Sequence, residues 1–167
     1  LMDSEIDEMV FGNMQKYKEH EFKSINHANA LEEIQGKFDK EKKEKTDIDP
    51  FIKKVKKVLG DKVKDVVTSQ RLSDSPACVV SDNNDPTAQM QEMLKQMGQA
   101  NFSNIKPIFE INPKHKIIKK LTSMNKNKLF DDSVMLLFDQ ALLVSNIKIE
   151  NPGEFIDRIN KVLEKSL

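Results

Sequence analysis

Apolar residues recur at helical spacing over much of this chain and at strand spacing in its middle. Ile6, Met9, Val10, Met14 and Tyr17 line one side of an N-terminal helix, and a short extended run follows at 21–25. Phe51, Ile52, Val55, Val58 and Leu59 share a face of a helix that Asp49-Pro50 opens and Gly60 closes. Lys53, Lys54, Lys56 and Lys57 lie on its opposite side. Residues 62–72 (KVKDVVTSQRL) and 77–81 alternate and are β-branched, with the turn-forming Ser73-Asp74-Ser75-Pro76 between them. The pattern predicts two antiparallel strands, with a third at 106–111. Asn112-Pro113 opens a helix carrying Ile117, Ile118 and Leu121. Asn151-Pro152 opens the last helix, and Glu154 stands three residues after the cap, placed to reach back to it.

The stretch 85–97 holds three of the eight methionines. Read as a helix, it places Met90, Met93, Leu94 and Met97 at i, i+3, i+4 and i+7, a single apolar stripe. Asp85 can cap it, Pro86 suits its first turn and Gly98 can end it. Methionine is unbranched and polarizable, so such a stripe suits a loose core or a surface that adapts to irregular partners. Spacing alone favours the core.

The helix predicted at 128–145 differs from the others. Val134-Met135-Leu136-Leu137-Phe138 and Ala141-Leu142-Leu143-Val144 leave apolar residues on nearly every side. A helix apolar all round is buried all round, and a domain this small has one layer to pack against it. The open side is therefore expected to be covered by another chain, the alternative being a missing part of the same chain. The final helix adds Phe155, Ile156, Ile159, Val162 and Leu163. Two such antiparallel helices, doubled by a two-fold axis, make a four-helix bundle. The expected fold is α+β: a small antiparallel or mixed three-stranded sheet with helices, ending in two helices that form this bundle between chains.

Composition narrows the class. The 167 residues suffice for one ordinary domain, or one and part of another. Hydrophobic residues make up 38% and charged ones 32%, which suits a small core with much solvated helix surface. Lys+Arg and Asp+Glu both total 27, so no net charge points to nucleic acid or a membrane surface. The run 36–47 (GKFDKEKKEKTD) has too few apolar residues to offset its chain entropy and reads as a charged linker. The first residue is Leu1, as expected for a piece of a longer protein. No stretch is apolar for long enough to span a bilayer.

Candidate chemistry is sparse. Cys78 is the only cysteine, which excludes an internal disulfide and favours a reducing compartment; inside an apolar strand it reads as a buried, inert thiol. His20 and His27 make no recognised metal spacing with it. Asp131-Asp132 are adjacent, so they do not face one another on a helix, and they fit as favourable first-turn charges. The glycines are scattered singly, without a phosphate-binding loop. The lysines of the 49–59 helix lack interleaved aromatics, so they read as a solvated face rather than a nucleic-acid site. His115 reads as structural or exposed, and the sequon at 101–103 as chance. No active site emerges.

Several segments together resemble a known family. SQRLSDSPACVV (69–80), IFEINPKHKIIKKL (108–121), LLFDQALL (136–143), NPGEFIDRINKVL (151–163) and FIKKVKKVLGDKVKDV (51–66) resemble the C-terminal domain of the ninety-kilodalton heat-shock chaperones. Residues 3–25, with IDEMV and FKSI, resemble the end of that family's middle domain. DNNDPTAQM lacks the tryptophan of the eukaryotic form, and the chain stops at Lys165-Ser166-Leu167 without its acidic tail, so the bacterial or organellar HtpG type fits better. The resemblance implies a middle-domain tail at 1–35, a charged linker at 36–48 and a C-terminal dimerisation domain at 49–167.

It implies a homodimer joined through Leu136, Leu137, Ala141, Leu142, Phe155, Ile159 and Leu163. It also turns the expectation for Met90, Met93, Leu94 and Met97 toward exposure, on a helix that contacts unfolded or partly folded client proteins. The family hydrolyses ATP with Mg2+ in a domain outside this chain, so neither catalysis nor a cofactor is expected here. Implied partners are a second copy, clients and other chaperones, in the cytoplasm, with no nucleic acid or membrane. The alternative is a purely structural oligomerisation module with the methionine stripe buried in its core.

Overall fold

The computed structural model describes residues 10, 11, 14, 16–21, 48–83, 85–87, 90, 91, 94, 98, 105–125 and 127–166. The expected charged linker at 36–47, the helix before Val10, most of the extended run at 21–25, the sequon at 101–103, and Met93 and Met97 lie outside the described residues. The chain divides into two compact units: residues 1–40 with 80–105, and residues 41–79 with 106–167.

In the first unit the backbone is helical at Val10 and Phe11, and the Met14 N–H donates to the Val10 carbonyl (3.2 Å). The helix expected to reach Tyr17 ends sooner. Tyr17 instead belongs to β1 (Lys16–Tyr17), which pairs antiparallel with β2 (His20–Glu21). Lys18 turns the chain with a positive φ of 55°, which a helix cannot carry. Val10, Met14 and Tyr17 are all exposed.

The second unit holds most of the core. Helix α1 (Asp49–Leu59) buries Phe51, Val55 and Leu59, the inner part of the predicted face. Asp49 does not cap it; Ile48 precedes the helix without a side-chain cap, and Asp49-Pro50 occupy the first turn. Gly60 ends it with φ 51°, and its N–H returns to the Lys56 carbonyl. A short 3-10 turn (Gly60–Lys62) leads into β3 (Asp65–Thr68), and β4 (Ala77–Val80) and β5 (Ile108–Ile111) complete a mixed sheet.

The strand order is β3-β5-β4. The two strands expected to pair with each other therefore do not. β5 lies between them and runs parallel to β3, with Val66 opposite Phe109 and Thr68 opposite Ile111. The reason is burial: all four residues of β5 are buried, so it takes the centre, where both of its edges find partners. Lys64 N–H to Pro107 O and Ser69 N–H to Ile111 O, both 2.8 Å, extend the β3–β5 pairing at either end.

Asn112, 1% exposed, locks the sheet's exit. Its Nδ2 donates to the Ser73 and Ser75 carbonyls (3.1 Å each), its Oδ1 accepts from Lys114 N–H, and its own N–H donates to Pro76 O. Asn112-Pro113 thus forms a turn before the next helix rather than its first residues. Helix α2 (Lys116–Ser123) starts at His115, whose Nδ1 accepts from Ile117 N–H at 3.2 Å.

Helix α3 (Lys128–Val144) is capped by Asn127, whose Oδ1 accepts from Phe130 N–H at 2.9 Å. Helix α4 (Pro152–Ser166) is the last element of the second unit. The core joins α1, the sheet, α2 and α3. Phe130 meets Phe51 edge-on at 6.1 Å, and Phe109 meets Phe138 edge-on at 5.6 Å.

Candidate functional site

The C-terminal helix pair is the most distinctive surface of the second unit. Helix α3 places Phe130, Val134, Leu137, Phe138 and Ala141 in the core. Asn146, at φ 60°, then stops it. Asn146 N–H donates to Leu143 O and Ile147 N–H to Leu142 O, so the last carbonyls are satisfied by a left-handed cap. Ile147 packs on the core and Ile149 is buried, which pins the connection and brings α4 back along α3.

Asn151 caps α4 as expected: its Oδ1 accepts from Glu154 N–H (3.3 Å), while its Nδ2 donates to Glu154 Oε1 (3.0 Å). Glu154 therefore answers through the Asn151 side chain. Arg158 reaches from α4 to Asp139 on α3 (2.8 Å) and also holds Glu154 one turn back. The Arg158 and Asp139 side chains are only 14% and 8% exposed. Burial holds the Asp139 carboxyl above its ordinary range, with Arg158 pulling the other way.

The candidate interface residues separate into layers. Leu137 and Ala141 are buried within a single chain. Leu136, Leu142, Phe155 and Ile159 are half-buried, and Leu163 is exposed. Leu143 (50% exposed), Val144 (86%) and Ile156 (51%), apolar positions of the two helices that are not among the seven interface candidates, are among the most open apolar groups of the pair. Helix α4 has an apolar arc wider than its seam with α3. Phe155, Ile159 and Val162 line the half-buried side, and Ile156 and Leu163 continue it into solvent.

The methionine segment belongs to the first unit. Thr87 holds its entry: Oγ1 accepts from Met90 N–H (3.3 Å) and the carbonyl accepts from Gln91 N–H (2.9 Å). Met90 and Leu94 are half-buried. Gly98 takes the left-handed φ of 80° suited to a helix end.

A polar cluster absent from the sequence expectations crosses the sheet. Arg71 Nε donates to Glu110 Oε2 at 2.9 Å, its Nη2 lies 3.5 Å from Cys78 Sγ, and the Glu110 side chain is 5% exposed. Burial opposes the Arg71 charge, but Glu110 more than offsets this and holds the guanidinium above its usual value. Burial and then Glu110 push the Cys78 thiol up to about 11, against the pull of Arg71. A thiol so held is a poor nucleophile. Among the described residues, no group of three or more His, Cys, Asp or Glu side chains is arranged to hold a metal, and no helix is long and apolar enough to cross a membrane.

The family model for Hsp90 protein matches residues 1–167. The chain belongs to the Hsp90 protein family. Among Hsp90 relatives, the chaperone protein HtpG of Treponema denticola is 42% identical over 166 residues, covering 98% of this chain and 26% of the relative. That of Buchnera aphidicola is 38% identical over 164 residues, with 98% and 26% covered, and that of Treponema pallidum 35% over 167 residues, with 99% and 26% covered. This Hsp90 chain thus spans about a quarter of the length of the curated relatives it matches.

Proposed function

We propose that residues 49–167 are the C-terminal dimerisation domain of an HtpG-type Hsp90 chaperone, that 36–48 are a charged linker and that 1–35 end the preceding middle domain. Helices α3 and α4 pair with their copies in a second chain to form a four-helix bundle. The observation that carries this reading is the apolar surface a single chain leaves open on those helices: Leu143, Val144, Ile156 and Leu163, beside half-buried Leu136, Leu142, Phe155 and Ile159. A second copy removes that surface from water. The segment carrying Met90, Met93, Leu94 and Met97 offers an adaptable apolar face to unfolded or partly folded clients in the cytoplasm. ATP and Mg2+ act in a part of the protein outside this chain, and this piece contributes assembly and client contact rather than catalysis.

The test is solution mass by light scattering. The chain should run as a dimer, and Ile156→Glu with Leu163→Glu should give a monomer of unchanged helicity. A dimer mass surviving both changes would count against the bundle. Leu137 is unsuited to this test because it is buried in the core of a single chain, where a charge is destabilising with or without a partner. The half-burial of Met90 and Leu94 favours a second reading, in which the stripe packs internally. Changing Met90, Met93 and Met97 to polar residues separates the two. A client-facing stripe loses protection of an aggregating client at little cost in stability, whereas a packed stripe loses several kcal/mol, on the order of 2–5 for each buried methionine.

A further inference from the structure

We infer that the outer face of α2 is a docking surface for an acidic, unstructured protein segment. Between Asn112 and Phe130 the sequence holds Lys114, Lys116, Lys119, Lys120, Lys126 and Lys128 and not one Asp or Glu. The chain as a whole is neutral, so this is a local concentration of charge. Ile118 and Leu121 turn α2 toward the core, which leaves Lys116, Lys119 and Lys120, at i, i+3 and i+4, together on the outer side.

Lys114, Lys116, Lys119, Lys120 and Lys128 are exposed, and among the described residues no ion pair engages them. Other lysines of the same unit are matched: Lys56 with Asp65, Lys62 with Glu150 and Lys106 with Asp61. The α2 charges also oppose the helix that carries them. Like charges three and four residues apart repel, and Lys116 stands at the positive end of the helix dipole, with no acidic residue in that first turn. An anionic partner relieves both penalties at once.

The chemistry of the partner follows from what accompanies the charge. Ile117, 45% exposed, lies beside Lys120 and supplies one aliphatic contact. No Phe, Tyr or Trp lies between residues 113 and 129 to stack on bases, and Phe130 is fully buried, which disfavours nucleic acid. An eight-residue helix with one exposed aliphatic side chain has too little apolar area to seat in a bilayer surface. A flexible stretch of Asp and Glu with an interspersed aliphatic residue matches the lysines and Ile117 together.

The probe is a fluorescein-labelled synthetic peptide of alternating Glu and Asp with central leucines, titrated with the full chain and followed by anisotropy at low and physiological salt. Replacing Lys116, Lys119 and Lys120 together with Gln should weaken binding at least about tenfold, and salt should do likewise. Removing the same charge from α1, by changing Lys53, Lys54 and Lys57 to Gln, should leave binding within about twofold. Ile117→Ser should weaken it a few-fold at either salt. Both triple variants alter exposed or partly exposed lysines outside the core, and circular dichroism verifies the fold. Absent binding, equal losses from the two triple variants, or tighter binding of oligothymidine or phosphatidylserine vesicles than of the peptide would each overturn the assignment.

Discussion

Replacing Arg158 with methionine should destabilise the protein far more than replacing Asp139 with asparagine, although the two side chains form one ion pair. At 2.8 Å and an effective dielectric constant near 20, their attraction is roughly 6 kcal/mol in gross terms, much of it cancelled by desolvation. The net effect of a change therefore depends on what is left behind. Without Arg158, the Asp139 carboxylate stays buried with no ion-pair partner among the described residues, a situation that costs about 3 kcal/mol at neutral pH. Without the Asp139 charge, Arg158 keeps Glu154 and can still donate to the asparagine oxygen, so the loss should be about 1 kcal/mol or less.

The pH dependence carries the same logic. Burial, opposed by Arg158, raises the Asp139 pKa above 3.8 in the folded state. Its contribution to stability is therefore fully present below 3.8 and is lost as pH rises through the folded value. Removing Arg158 raises that value further, so the deficit of Arg158→Met should shrink as pH falls toward the acid range. Urea unfolding followed by circular dichroism, on both single variants and the double variant at one protein concentration, measures all three quantities. Equal losses for the two single variants, or a deficit independent of pH, would refute the reasoning.

Phe130→Ala should cost about 3–5 kcal/mol in the same unfolding assay, because Phe130 is 0% exposed and its edge contact with Phe51 joins α3 to α1. A loss under about 1 kcal/mol would mean that the core closes over the cavity. Cys78, with its thiol pushed up to about 11, should react with iodoacetamide at pH 8 about a hundredfold more slowly than an exposed cysteine. Glu110→Gln should speed the reaction by removing the charge that helps hold the proton on sulfur; unchanged or slower labelling would contradict that role.

The helical faces of α1 and α4 and the stop at Gly60 were legible in the residues because burial and left-handed φ each demand particular side chains. Asn151 could be identified as a cap, whereas the same Asx-Pro pattern at 49 and 112 has other uses, a first turn and a buried turn lock. Local sequence does not distinguish these cases, because tertiary hydrogen bonds to Ser73 and Ser75 decide the fate of Asn112. Strand order was hidden for a similar reason. Alternation identifies strands, but only the burial of all four β5 residues puts that strand in the middle.

At the helix pair, periodicity could find apolar positions but could not tell Leu137, which the chain buries itself, from Val144, which it leaves open. One signal lay in plain view. The only two arginines of the sequence, Arg71 and Arg158, are the cations of the two most buried ion pairs among the described residues, while the exposed pairs use lysines. A planar guanidinium that is always charged is the side chain best suited to a desolvated carboxylate.

The central position of β5 dictates an order of events when the protein is made. β3 and β4 leave the ribosome before β5, close together in the chain, but they have no hydrogen bonds to exchange with each other. Both must wait, with unpaired edges, until residues 108–111 have been synthesised and slide between them. The methionine-bearing stretch from 81 to 107 is therefore translated before the sheet that anchors its two ends can close. A chain truncated just before Ile108 and released from the ribosome should therefore display both unpaired strands together with the methionines, and should aggregate more readily than one that includes residues 108–111.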